Sequence, residues 1–150
     1  NYTKKINDSH MKHLRKWQLF WSAFIGLGAY WGAAMMFIDP TGVKWGMEPL
    51  LPLLQQLPLA DVFFQNFIWS GIVLLLVNGV TNTVAFILLA KKRHWGALAG
   101  LACGIILMLW ILVEYLIFGF NFLSNIYLAF GFLQAGNGFL LWKRTKALNN

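Results

Sequence analysis

Four long apolar runs, parted by short polar breaks, dominate the chain: residues 17–38, 67–90, 95–118 and 123–142. A helix needs about 20 such residues to cross a hydrocarbon core of about 30 Å. The first run, as an α-helix, rises roughly 33 Å. Lipid offers a backbone no hydrogen-bonding partner, so a single apolar segment must meet its own amides as a helix. The expected fold is therefore all-α: a polytopic membrane protein built as a four-transmembrane-helix bundle. Composition agrees, with 59% hydrophobic and only 11% charged residues in 150, where soluble domains carry about 25% charged. A soluble globule, a disordered tail and a disulfide-rich scaffold are excluded. The chain divides into a basic cytoplasmic segment (1–16), a four-helix transmembrane domain (17–142) and a cytoplasmic tail (143–150).

The formal charge is +7 and the pI about 9.8. Placement decides what that means. Lys4, Lys5, Lys12, Arg15 and Lys16 precede the first run; Lys91, Lys92 and Arg93 part the second and third; Lys143, Arg144 and Lys146 follow the last. Eleven of the twelve basic residues, with Asp8, thus fall on one side. Lys44 falls on the other, with Asp39, Glu48, Asp61 and Glu114. Basic residues gather on the cytoplasmic side of membrane proteins. The reading is a multi-pass protein of the cell inner or plasma membrane with both termini cytoplasmic. Its basic residues meet anionic lipid, not nucleic acid. The basic start, followed by a long run with no small-residue cleavage site, reads as a retained segment rather than a cleavable signal. Trp17 and Trp21 suit the inner interface.

Residues 39–65 form the longest connection and hold all four prolines: Pro40, Pro49, Pro52 and Pro58. Asp39-Pro40-Thr41-Gly42 is a turn signal that stops the first helix. The apolar stretch 50–59 is too short to span, so it belongs at the outer interface as a short helix or cap between helices 1 and 2. The break at 119–122 is brief, which makes the third and fourth helices antiparallel neighbours.

Polar side chains inside the spans are the best functional pointers. Asn78 in the second span and Gln134 in the fourth each lie roughly 16 Å from the outer end of their runs. Asn82 and Asn137 form a second pair about a turn deeper. Helical spacing puts Gly71, Leu75, Asn78 and Asn82 on one face, and Tyr127, Gly131, Gln134, Gly138 and Leu141 on another. Gly96, Gly100, Gly104, Leu107, Ile111 and Glu114 share an arc of the third span. Small residues at four-residue spacing let helices approach closely. The three faces should therefore meet inside, leaving Leu, Ile, Val and Phe to lipid. Gly28 and Gly32 add one more close-approach pair. The amides either fasten helices together or line a pocket. Glu114 is the one acidic residue inside a span, about a turn below its outer end. With Asp39 and Asp61 it makes a candidate acidic outer mouth for a proton, a cation or an amine.

Several chemistries are excluded. Cys103 alone forms no internal disulfide or dithiol pair. No clustered Cys and His with metal-ligand spacing occurs, and His10, His13 and His94 lie outside the spans. There is no phosphate-binding glycine loop and no Ser/His/Asp set at one depth. No catalytic residue and no metal ligand is assigned, and the cofactor is left open.

Asp39-Pro40-Thr41-Gly42 with Trp45-Gly46-Met47 resembles a pattern in small uncharacterised bacterial membrane proteins. So does Val77-Asn78-Gly79-Val80-Thr81-Asn82, with Lys92-Arg93-His94-Trp95-Gly96 opening the third helix. The layout over residues 17–142 is similar to the DoxX-like group: inner N-terminus, outer proline-rich loop, basic inner loop, inner C-terminus. Members of that group are linked to quinone-related respiratory chemistry and to redox or membrane-stress complexes. The apolar bundle with its few inward polar anchors suits a small membrane protein that binds a lipophilic molecule, lipid or quinone-like, or serves as an accessory subunit. Its candidate ligand-binding residues are Asn78, Asn82, Glu114, Gln134 and Asn137. The alternatives are a membrane-embedded oxidoreductase component or a small transporter working as an oligomer. A homo-oligomer or membrane-complex partner belongs to either reading.

Overall fold

The computed structural model describes residues 2–44 and 46–149, with side chains for 9–44, 46–62 and 64–147. Trp45 and the side chains of Lys4, Lys5 and Asp8 lie outside the described residues. Helix α1 runs Tyr2–Ile38 without a break. The apolar run and the basic segment before it thus form one helix, about 55 Å long at 1.5 Å per residue. Its inner turns are docked: Met11 and Leu14 pack against the buried cluster of Leu89, Ala97 and Leu141.

The outer connection folds into short helical turns, as its proline spacing requires. A 3₁₀ turn at Glu48–Leu50 leads into α2, Leu51–Leu54, and then α3, Ala60–Phe63. Pro49 and Pro52 stand in the first positions of their turns, where a missing N–H costs nothing. Leu54 is buried, Leu51 and Leu53 half-buried, and Leu50 exposed. The Pro40 carbonyl accepts from Phe67 N at 2.9 Å, closing the loop's two ends on each other.

Helix 2 is not a plain α-helix. It comprises α4, Ile68–Leu74, a π-helical turn, Leu75–Val80, and α5, Thr81–Ala90. A tight basic turn follows. Arg93 N donates to Leu88 O and Lys92 N to Leu89 O, with Lys92 at φ 54°. That is the crossed pair of bonds that closes a helix C-terminus, with lysine where glycine is usual. Helix α6 spans Gly96–Phe118 and α7 spans Phe122–Asn149, so residues 143–149 of the expected tail are helical. Gly119, at φ 78°, supplies the left-handed residue that turns the chain between them.

Among the described residues, three helices are long and apolar enough to cross a membrane: Ser9–Ile38, Ile68–Ala90 and Gly96–Phe118. No strand occurs among the described residues. Helix α1 packs on α4, the π-turn, α5 and α7, while α6 packs most extensively on α7 and also on α5. The long helices therefore form a ring with α1 and α6 at opposite corners. The α6–α7 contact is backbone-close because glycines face it. A Cβ on Gly104 would lie 2.7 Å from Ala135 Cα, and one on Gly138 would lie 2.7 Å from Leu101 N. Gly32 gives room to the Leu74 side chain, which a Cβ would meet at 3.1 Å, while Gly28 stands at ordinary contact distance from Tyr127 Oη. The apolar interior lies in two clusters, one around Ile25, Leu107 and Ile111 and one around Leu89, Ala97 and Leu141.

Candidate functional site

Between those two apolar clusters lies a layer of amides. Gln18 and Gln134 are fully buried, as is Asn82, and Ser22 nearly so. Gln134 Nε2 donates to Asn82 Oδ1 at 2.8 Å and more weakly to Ser22 Oγ at 3.4 Å. Asn82 Nδ2 in turn donates to the Asn78 carbonyl at 2.7 Å. Gln18 Nε2 donates to the Gln134 carbonyl at 3.1 Å. Asn137 Nδ2 donates to both Gln18 Oε1 and the Leu14 carbonyl, each at 2.8 Å. The layer ties α1, helix 2 and α7 together at one depth. Interhelical bonds of this kind in membranes are worth about 0.6 kcal/mol on average.

Helical spacing placed Asn78, Asn82 and Gln134 on inward faces, and those three are buried; Asn137, placed only by depth, is half-buried and bonded to α1. Their pairing differs from the expected depths. Gln134 meets Asn82 rather than Asn78, and Asn137 meets Gln18 rather than Asn82. The π-turn inserts an extra residue into helix 2 ahead of Asn82, so the register counted along an α-helix from the start of the run does not hold beyond it. Gln18 and Ser22 were not among the expected site residues. A signal for Gln18 existed in two other helices. Gly100 and Gly138 both face its side chain, so a Cβ at either would run into its amide.

A groove of about 270 Å³ opens beside this layer, between α1 and α5. Ser22, Ala23, Gly26 and Asn82 lie along it with Leu27, Tyr30, Thr83 and Phe86. Tyr30 Oη and Thr83 Oγ1 are bonded at 2.6 Å across it. Tyr30 reaches that position because Gly79 has no side chain: a Cβ there would touch the ring at 3.2 Å. Leu27, Tyr30, Thr83 and Phe86 are exposed, so the groove faces outward from the bundle.

Glu114 stands apart from the amide layer. Its Oε1 accepts from Trp110 Nε1 and its Oε2 from Ser124 Oγ, both at 2.9 Å. Asn121 Oδ1 accepts from Ser124 N at 2.8 Å, and Tyr115 Oη donates to Asn125. These contacts clasp the outer end of the α6–α7 hairpin. Asp39 is occupied by its own turn: the Thr41 hydroxyl donates to Oδ1 at 2.6 Å and Lys44 N to Oδ2 at 2.8 Å. Those bonds, the Thr41 hydroxyl first, hold its carboxyl below the usual range. Asp61 is exposed, and its carbonyl accepts from Gln65 Nε2. No group of three or more His, Cys, Asp or Glu placed to hold a metal ion occurs among the described residues.

Comparison with family models, with curated proteins and with solved structures finds no match. The fold itself defines the class: a small, mostly helical, polytopic membrane protein.

Proposed function

We propose that the chain is a four-span, DoxX-like protein of the cell membrane, both ends cytoplasmic, that holds a lipophilic molecule with a hydrogen-bonding head. The observation that carries this reading is the outward-facing groove between α1 and α5. Its walls are apolar, while Ser22, Asn82, Thr83 and Tyr30 give it hydroxyl and amide groups. Ligand sites combine apolar walls with a few placed polar groups in this way. Thr83 Oγ1 gives its hydrogen to the Gly79 carbonyl and Tyr30 Oη gives its own to Thr83 Oγ1, so Tyr30 Oη is left as an acceptor: a lipid or quinol hydroxyl donates to it, and the tail lies along Leu27 and Phe86. The fourth span is α7. Its mean hydropathy is lowered by Gln134 and Asn137, but those amides are turned onto the other helices rather than to lipid. The hairpin turn at Gly119 returns it antiparallel to α6, and the eleven basic residues outside the spans meet anionic headgroups.

The test is extraction of small lipophilic molecules from purified protein in lipid nanodiscs, followed by mass spectrometry. Wild type should carry one enriched compound relative to protein-free nanodiscs. Ala23→Leu, which extends a half-buried lining residue into the groove, should lose most of it. Equal content in wild type, variant and protein-free nanodiscs rejects the reading.

A further inference from the structure

The widened turn of helix 2 is held by a run of three side chains. Thr81 Oγ1 donates to the Val77 carbonyl, Asn82 Nδ2 to that of Asn78 at 2.7 Å, and Thr83 Oγ1 to that of Gly79 at 3.0 Å. Each reaches back four residues, which is how Ser, Thr and Asn meet backbone groups that a distorted helix frees inside a membrane. The Asn78 carbonyl is therefore satisfied, but its side chain is not. Asn78 is 2% exposed, and neither Nδ2 nor Oδ1 has a hydrogen-bond partner in the protein. Gln134 Oε1 is buried and unpartnered too, although its amide is bonded to Asn82, the residue that also bonds Asn78. A buried amide with both ends unmet is costly in any interior, and more so where hydrocarbon surrounds the fold.

We propose that Asn78 binds an internal water molecule, shared with Gln134 Oε1, beside the π-turn. One water meets one Asn78 N–H and both unmet amide oxygens. A primary amide presents N–H and C=O side by side, so one water both donates to Oδ1 and accepts from Nδ2. Its second hydrogen goes to Gln134 Oε1. Those are three hydrogen bonds, about the usual number for a buried water. A lipid chain has no group to offer here, and Asn78 is absent from the residues that line the α1–α5 groove. The site is thus distinct from the one proposed for the lipophilic ligand.

Two measurements test this on the intact protein in lipid nanodiscs. With ¹⁵N-labelled asparagine, the Asn78 side-chain amide, assigned in wild type by sequential correlation, should show cross-relaxation with a slowly exchanging water. Asn78→Leu keeps the branching at Cγ and removes both polar atoms. With a water bound, it strips the water of its anchors, leaves Gln134 unmet and lowers Tm by about 3 °C or more. Without one, it removes two unmet groups and raises Tm. A missing cross-peak or a raised Tm overturns the proposal. Ala23→Leu should leave the cross-peak in place, which separates this site from the groove.

Discussion

Glu114 is a carboxylate inside a span, and its two oxygens are met by two neutral donors from different helices. That arrangement makes it a fastener of the α6–α7 hairpin before anything else. The consequence is testable at the level of single atoms. Glu114→Gln keeps an acceptor for Trp110 Nε1 and turns an N–H toward Ser124, whose hydroxyl accepts as readily as it donates. Stability should stay within about 0.5 kcal/mol of wild type. Glu114→Ala leaves Trp110 and Ser124 without their acceptor and should cost about 1–2 kcal/mol, a fall in Tm of roughly 3–6 °C. Thermal unfolding of both variants in one lipid composition reads the difference. If the Gln variant falls as far as the Ala variant, the negative charge itself is needed, and the site returns to a cation- or proton-binding role. Asp39 differs in kind: its two oxygens are taken up by the loop turn at Thr41 and Lys44.

Between elements, the α6–α7 interface is set by what its residues lack. A Cβ on Gly104 would fall 2.7 Å from Ala135 Cα and 2.8 Å from Ala135 Cβ, and neither can yield without moving α7. Gly136, one residue further along α7, meets nothing within 4 Å. Gly104→Ala should therefore destabilise by about 1–3 kcal/mol through overpacking. Gly136→Ala should be neutral or stabilise by roughly 0.5–1 kcal/mol through helix propensity. Denaturant titration in mixed micelles compares the two, and equal effects would remove the close-packing account. Part of this interface was legible from spacing: Gly96, Gly100 and Gly104 recur every four residues and all three are buried, but only Gly104 faces α7, while Gly96 lies against Leu88 and Leu89 of α5 and Gly100 against Gln18 of α1. The π-turn was not legible. Its cause is the run Thr81-Asn82-Thr83 bonding backward to three carbonyls, a local competition that hydrophobic periodicity does not register. Gln18 was missed for a related reason. It follows Trp17 at the edge of the apolar run, where a polar residue reads as interfacial. Only the glycines facing it from α6 and α7 turn that position into an interior one.

At the scale of the whole molecule, the proposed four-span arrangement explains why α7 is less apolar than its three companions. The polar groups that lower its hydropathy are the ones that bond α1 and helix 2, so the fourth helix crosses by leaning its polar face on the others. Its proposed orientation rests on charge. Lys12, Arg15 and Lys16 of α1, the Lys91–Arg93 turn, and Lys143, Arg144 and Lys146 of α7 all lie at one end of the ring, and Lys146 Nζ sits 5.2 Å from the Trp142 ring. The outer connection lies at the other end, with Asp39, Glu48 and Asp61. Moving that cationic end across a membrane against the cytoplasmic bias of basic residues is unfavourable. Cysteine labelling reads the outcome directly. Cys103 is 3% exposed, so its background reactivity with an impermeant maleimide in intact cells should be low. Lys44→Cys should label from outside, while Lys12→Cys and Lys146→Cys should label only after the membrane is opened. Labelling of the last two in intact cells would invert the topology. Labelling of Lys12→Cys and Lys146→Cys from opposite sides would leave an odd number of spans and remove α7 as a crossing helix, and with it the closed ring that frames the amide layer.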